Sequence, residues 1–182
     1  MDTDSPMRRR LESQRYLRVY SCQSAVKAKM SQILFHSTNG QSPAVSLREA
    51  LLRGQAPDRG LYFPKQFPRF TFNELAAFSR LPYHEIAFRV LSKFTEDIVA
   101  PDELAKMCAS AYNFPVPLEV VNFRTFLMRL DQGPTASFKD FAAQMMARMF
   151  GKFLREDGRQ VTILTATSGD TGAAVAHAFH NI

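Results

Sequence analysis

Two stretches decide how this chain is read. Phe126-Leu127-Met128-Arg129-Leu130 leads through a loop at residues 131–137 into Phe138-Lys139-Asp140, and Val161-Thr162-Ile163-Leu164-Thr165-Ala166 leads through Thr167-Ser168-Gly169-Asp170-Thr171-Gly172 into Ala173–Phe179. Each is a short apolar run, then a Gly-containing loop, then a run with helical spacing. Strand, loop, helix repeated in this order is the grammar of an α/β sheet. Phe138, Phe141, Ala142, Met145, Met146, Met149, Phe150, Phe153 and Leu154 recur at three- and four-residue intervals, which predicts one long helix with its apolar stripe packed on a sheet. Glu156-Asp157-Gly158 closes that helix, and the β-branched run 161–166 predicts a buried parallel strand. A further helix starts near residue 171 and runs to the last residue, Ile182. Two parallel strands with open edges do not complete a layer, so the α/β part is expected to be truncated.

Upstream the pattern differs. Ile33-Leu34-Phe35 predicts a short strand, and Ser46 with Glu49 predicts a capping box opening a short helix that stops at Gly54. Leu61-Tyr62-Phe63, bounded by Pro64 and Pro68, predicts an edge or irregular segment. Helices are expected at 71–79, 82–92 and 101–112, the first from the Thr71/Glu74 capping box and the last from Pro101 with Asp102 and Glu103 in its first turn. Asn113-Phe114-Pro115-Val116-Pro117 breaks the helical pattern and marks a connection.

Composition sets limits. The 182 residues are 46% hydrophobic and 22% charged, with 16 Phe, which excludes a disordered or collagen-like chain. No window holds the roughly 18 apolar residues that a bilayer-spanning helix needs. Cys22 and Cys108 form no Cys-x-x-Cys pair or Cys/His cluster, so neither a disulfide framework nor a metal site is indicated, and a cytoplasmic setting is expected. The net charge of +6 is uneven, because residues 1–29 hold seven basic residues against three acidic ones. A basic extension on a nearly neutral body argues against a nucleic-acid groove. Residues 1–29 are expected to be a disordered extension; the early Asp2, Asp4 and Glu12 disfavour an organelle transit peptide.

The two loops are where chemistry is expected, since functional groups in open α/β sheets gather at the carboxyl ends of strands. Lys139 falls at a helix amino end, where the helix dipole disfavours an ammonium and so favours the neutral amine that a Schiff-base nucleophile needs. The plain alternative is a surface lysine neutralised by Asp140. In the second loop, Gly169 and Gly172 allow close backbone approach, the N–H groups of the next helix can meet an anion, and Ser168 and Thr171 add hydroxyls. It matches neither a Walker loop nor a dinucleotide fingerprint. The plain alternative is a turn with Asp170 as helix cap.

Gly133-Pro134-Thr135-x-x-Phe138-Lys139-Asp140 together with 161–172 resembles the threonine synthase family, and Ser46–Ala50, Gly54, Ala56-Pro57-Asp58 and Gly60–Pro64 look like that family's amino-terminal domain. Gln132 stands where the family commonly has His, and Ala136-Ser137 replaces a large-apolar–Ala pair. The resemblance implies an α/β chain carrying an incomplete pyridoxal-phosphate fold of the tryptophan synthase β-like type, preceded by a small, mainly helical domain. The implied divisions are an extension at 1–29, an amino-terminal domain at 30–120, and the start of the cofactor domain at 121–182. It further implies that Lys139 carries pyridoxal 5'-phosphate as an aldimine, that Thr167, Ser168, Gly169, Thr171 and Gly172 receive the substrate carboxylate, and that Asp170 lies near the cofactor's ring hydroxyl. The implied reaction converts O-phospho-L-homoserine and water to L-threonine and phosphate, and the truncated chain alone is expected to be inactive. Its rivals are a related phospho-lyase acting on another phosphorylated amino acid and a non-catalytic remnant or binding module. No nucleic-acid or membrane partner is expected.

Overall fold

The computed structural model describes residues 33–182, so the expectation for residues 1–29 lies outside it. Strand β1, Phe35–Ser37, pairs antiparallel with β2, Tyr62–Pro64, in the register Phe35↔Pro64 and Ser37↔Tyr62. Helix α1, Leu47–Arg53, lies between them in sequence: the Glu49 N–H donates to Ser46 Oγ at 3.2 Å at its start, and Gly54 ends it at φ 72°. Helix α2, Phe72–Phe78, carries both halves of the Thr71/Glu74 capping box. Helices α3, Tyr83–Thr95, and α4, Pro101–Ala111, follow as the sequence predicts. α3 runs on to Thr95, whose buried hydroxyl donates to the Leu91 carbonyl at 3.0 Å, so this polar group is satisfied inside the helix.

The long helix is α5, Asp140–Glu156, and the last is α6, Asp170–Phe179. Met145, Met149 and Phe153 of α5 join Val99, Leu104, Met107, Cys108, Ala111 and Tyr112 in the main core. Aromatic edges close its upper end, where Tyr83 and Phe114 each meet Phe141 edge-on and the Tyr112 hydroxyl donates to the Phe141 carbonyl at 3.1 Å. On another side of α5, Ala143 and Ala147 pack on Ala174 and Ala178 of α6. The apolar stripe therefore meets helices on two sides instead of the predicted sheet, and Phe138, expected within it, is 62% exposed. Periodicity reports that a face is buried; it does not say against what.

The predicted parallel strands are corrected in the same way. The run expected at 126–130 forms β4, Thr125–Met128, which pairs antiparallel with β3, Leu118–Asn122, across a two-residue connection. Hairpin closure between neighbouring segments costs little loop entropy, so the nearest partner wins. Val161–Ala166 is neither paired nor buried: no strand of the described residues runs beside it, and β-branched composition supplies a preference without a ladder. The described chain is thus α/β with two small antiparallel sheets. No helix among the described residues is long and apolar enough to cross a membrane.

Two polar clusters fix the outer parts. Arg48 of α1 reaches the end of α5, pairing with Glu156 and Asp157 while its guanidinium lies 4.9 Å from the centre of the Phe153 ring. The loops around β1 and β2 converge on Asp58, which accepts from Ser37 Oγ at 2.6 Å, the Gln41 N–H at 2.9 Å and the Gly60 N–H at 3.0 Å.

Those bonds, the Ser37 hydroxyl foremost, hold the Asp58 carboxyl down at about 2 against an ordinary 3.8. A carboxyl lowered by folding stabilises the folded state fully above its unfolded value and loses that contribution as pH falls through the folded one. Acid titration of unfolding should therefore show stability declining between about pH 4 and pH 2, and Ser37→Ala should flatten that decline; an unaltered acid limb would remove Asp58 from the account. Phe153 is fully buried, so Phe153→Ala should cost about 3–5 kcal/mol in urea unfolding, against well under about 1 kcal/mol for an exposed residue.

Candidate functional site

The loop before α5 is a tight succession of turns. The Ala136 N–H donates to the Gly133 carbonyl at 3.0 Å, Ala136 takes a left-handed φ of 55°, and the Asp140 N–H donates to the Ser137 carbonyl at 3.0 Å. Lys139 stands at the helix cap position, with its carbonyl accepting from the Ala143 N–H at 3.0 Å. Its amine lies 4.3 Å over the Phe138 ring and 3.6 Å from Asp170 Oδ2. The alternative in which Asp140 neutralises Lys139 does not describe this arrangement. Asp140 is fully buried and turned the other way, accepting from the Thr135 N–H at 2.9 Å and from Thr135 Oγ1 at 2.8 Å.

The second loop is organised by Thr167. Its Oγ1 accepts from the Gly169 N–H at 2.9 Å and the Gly172 N–H at 3.1 Å, folding residues 167–172 around one hydroxyl. Gly169 has φ 137°, which side-chain-bearing residues rarely adopt, so glycine is required there. Asp170 occupies the first position of α6 and makes no side-chain cap bond; its carboxylate faces Lys139. Ser168 and Thr171 are exposed on the same loop. Residues 31 positions apart are thus brought together by the packing of α5 on α6, and the junction presents an amine, a carboxylate and a glycine-bearing helix start to solvent. With Asp170's side chain 76% exposed, the ion pair itself is worth at most about 1 kcal/mol.

Sequence reasoning missed a polar tie behind this junction. Arg148 donates from Nε to Ser110 Oγ at 2.6 Å and from Nη1 to Gln144 Oε1 at 2.8 Å, and Gln144 Nε2 meets His177 Nδ1 at 2.9 Å, linking α4, α5 and α6. The available signals were a buried-face Gln within the Met and Ala run and a single His among alanines. Elsewhere a cavity of about 450 Å³ opens between α2 and α3, lined by Phe70, Glu74, Phe78, Phe88 and Lys93, with no contribution from either loop. Burial pushes the Cys108 thiol up to about 11, which leaves it protonated and unreactive near neutrality. Among the described residues no cluster of His, Cys, Asp and Glu could hold a metal ion.

Thr167→Val keeps the branched shape and removes the shared acceptor. Hydrogen exchange should then speed up at the Gly169 and Gly172 amides by about threefold to tenfold, as expected for bonds worth about 1 kcal/mol each, while α4 amides stay unchanged. Exchange unchanged from the parent at both glycines would deny Thr167 its organising role.

Known proteins resemble this chain in sequence and in backbone. Residues 34–112 match the family described as threonine synthase N terminus. The threonine synthase of Pseudomonas aeruginosa is 42% identical over 143 residues, covering 76% of this chain and 30% of that protein. That of Escherichia coli is 38% identical over 138 residues, covering 76% and 32%. A pyridoxal-phosphate-bound threonine synthase from Brucella melitensis superposes with a TM-score of 0.77 at 38% identity, covering 81% of this chain and 33% of that one. The Escherichia coli threonine synthase structure gives 0.74 at 35%, covering 82% and 34%. The chain spans about a third of the length of the curated relatives it matches. By sequence and by backbone, it belongs to the threonine synthase family and corresponds to an amino-terminal portion of it.

Proposed function

We propose that this chain supplies the lysine-bearing and carboxylate-binding part of a pyridoxal-phosphate-dependent lyase that converts O-phospho-L-homoserine and water to L-threonine and phosphate in the cytoplasm. The observation that carries the reading is the approach of Lys139 Nζ to Asp170 Oδ2 at 3.6 Å, which unites the two loops in one place. In this reading residues 30–120 are the amino-terminal domain, and 121–182 begin a cofactor domain of the tryptophan synthase β-like fold.

The residues present fit the aldehyde end of the cofactor. A primary amine stands at the mouth of the junction, its side chain partly exposed, with a carboxylate beside it and no competing lysine in either loop. When bound, the cofactor supplies an electron sink for negative charge that develops at the substrate Cα. Lys139 is the group that attaches it and then carries protons at Cα and Cβ as phosphate departs and water adds at Cβ. The exposed hydroxyls of Ser168 and Thr171 and the helix-start N–H groups hold the substrate carboxylate, an anion suited to the positive end of α6. Thr167, Gly169 and Gly172 give that loop its shape. Asp170 orients the ring hydroxyl edge of the cofactor through its carboxylate.

Incubating the chain with pyridoxal phosphate, reducing with borohydride and mapping the labelled peptide tests the assignment. Label is expected on the peptide containing Lys139 and lost in Lys139→Ala; label concentrated on another lysine rules the assignment out.

A further inference from the structure

We propose that Asp140 is the positioning residue for Lys139: its buried carboxylate, gripping Thr135 and seated against Gly133, sets the direction in which the lysine amine leaves the start of α5. This rests on Lys139 being the cofactor lysine. An aspartate next to a functional lysine could stay in solvent and offset its charge at little cost. Here it is fully buried, and burying a carboxylate is expensive unless its oxygens find donors. Both oxygens find the same residue, Oδ2 taking the Thr135 N–H at 2.9 Å and Oδ1 the Thr135 hydroxyl at 2.8 Å. The carboxylate thereby bridges the loop from its end back to its beginning.

Gly133 supplies the second, independent observation. A Cβ placed there would lie 2.5 Å from Asp140 Oδ2 and 2.8 Å from Asp140 Cβ, and the three nearest atoms it would meet all belong to Asp140. Gly133 is not among the glycines with positive φ, so what demands glycine is the seat of the carboxylate and not the backbone angle. Between these anchors Ala136 is held at φ 55°, a conformation that costs an alanine about 1 kcal/mol or more. Released, the loop has every reason to relax. Because Asp140 is peptide-bonded to Lys139, a fixed carboxylate fixes the lysine Cα, and the amine is then delivered over Phe138 and toward Asp170.

The test compares Asp140→Ala, Asp140→Asn, Thr135→Val and Gly133→Ala with the parent chain. Two readouts are used: the rate of borohydride-trapped pyridoxal-phosphate labelling at Lys139, and hydrogen exchange of the peptide spanning 133–139. Asp140→Ala should slow labelling at least about tenfold, since an ångström of misplacement can cost far more, and should speed exchange across the loop while α4 is unchanged. Gly133→Ala should reproduce both effects although it removes no polar group. Asp140→Asn should retain most of the labelling, because its amide can accept from the Thr135 N–H and donate to the Thr135 hydroxyl. If Asp140→Ala loses its helical circular dichroism, Gly133→Ala and the milder Thr135→Val carry the same comparison. Labelling within about twofold of the parent, with unchanged loop exchange in any folded variant of Asp140 or Gly133 to Ala, overturns the proposal. If the parent labels a lysine other than Lys139, the cofactor assignment falls, and loop exchange in the variants alone then decides whether Asp140 fixes the loop.

Discussion

Burial of Met145, Met149 and Phe153 against the helices that precede them is the contact on which the rest of the described chain depends. Each such side chain contributes roughly 1.5–3 kcal/mol when taken out of water. Because all three sit on α5, the same burial that makes the core also fixes the axis at whose start Lys139 stands. The aromatic contacts of Phe141 with Tyr83 and Phe114 extend this anchoring to the first turn, one residue after Asp140. The functional end of the helix is therefore supported from within, while its far end is tied to α1 through Arg48.

The polar groups follow the same economy of position. Charges that only need to be soluble lie at the surface, in pairs such as Arg53 with Glu49, where little energy is at stake. Three buried polar groups each close a geometry: Thr95 inside α3, Gln144 between Arg148 and His177, and Asp140 across its loop. Such groups cost stability if any partner is missing, which is why they mark the places where shape matters most.

Helix boundaries were legible because their causes are local. Thr71 and Glu74, Gly54, and Pro101 with its two acids act within one turn of where they stand, and the structure uses each as read. Strand pairing was not legible, because which segment lies beside Val161–Ala166 or Phe126 is settled by chain elsewhere, and a run of β-branched residues carries no information about its neighbour. The candidate site divides along the same line. Lys139 and the 167–172 loop could be singled out from residue types and from resemblance, but the meeting of Lys139 with Asp170 is a product of helix packing. The inward turn of Asp140 was invisible for a related reason: a Lys-Asp pair in sequence reads as a salt bridge until one knows which side of the loop is dry.

The alanines between α5 and α6 carry a consequence of their own. Ala143, Ala147, Ala174 and Ala178 pack together where the two helices meet, with Phe179 partly buried against them. They act as a feeler gauge: the thickness of four methyl groups sets how far apart the two helix starts can stand. The gap between an amine and a carboxylate at the surface is thus calibrated by groups that have no polarity at all, and any natural drift toward bulk at those four positions would be felt first as a change in reach between the two loops.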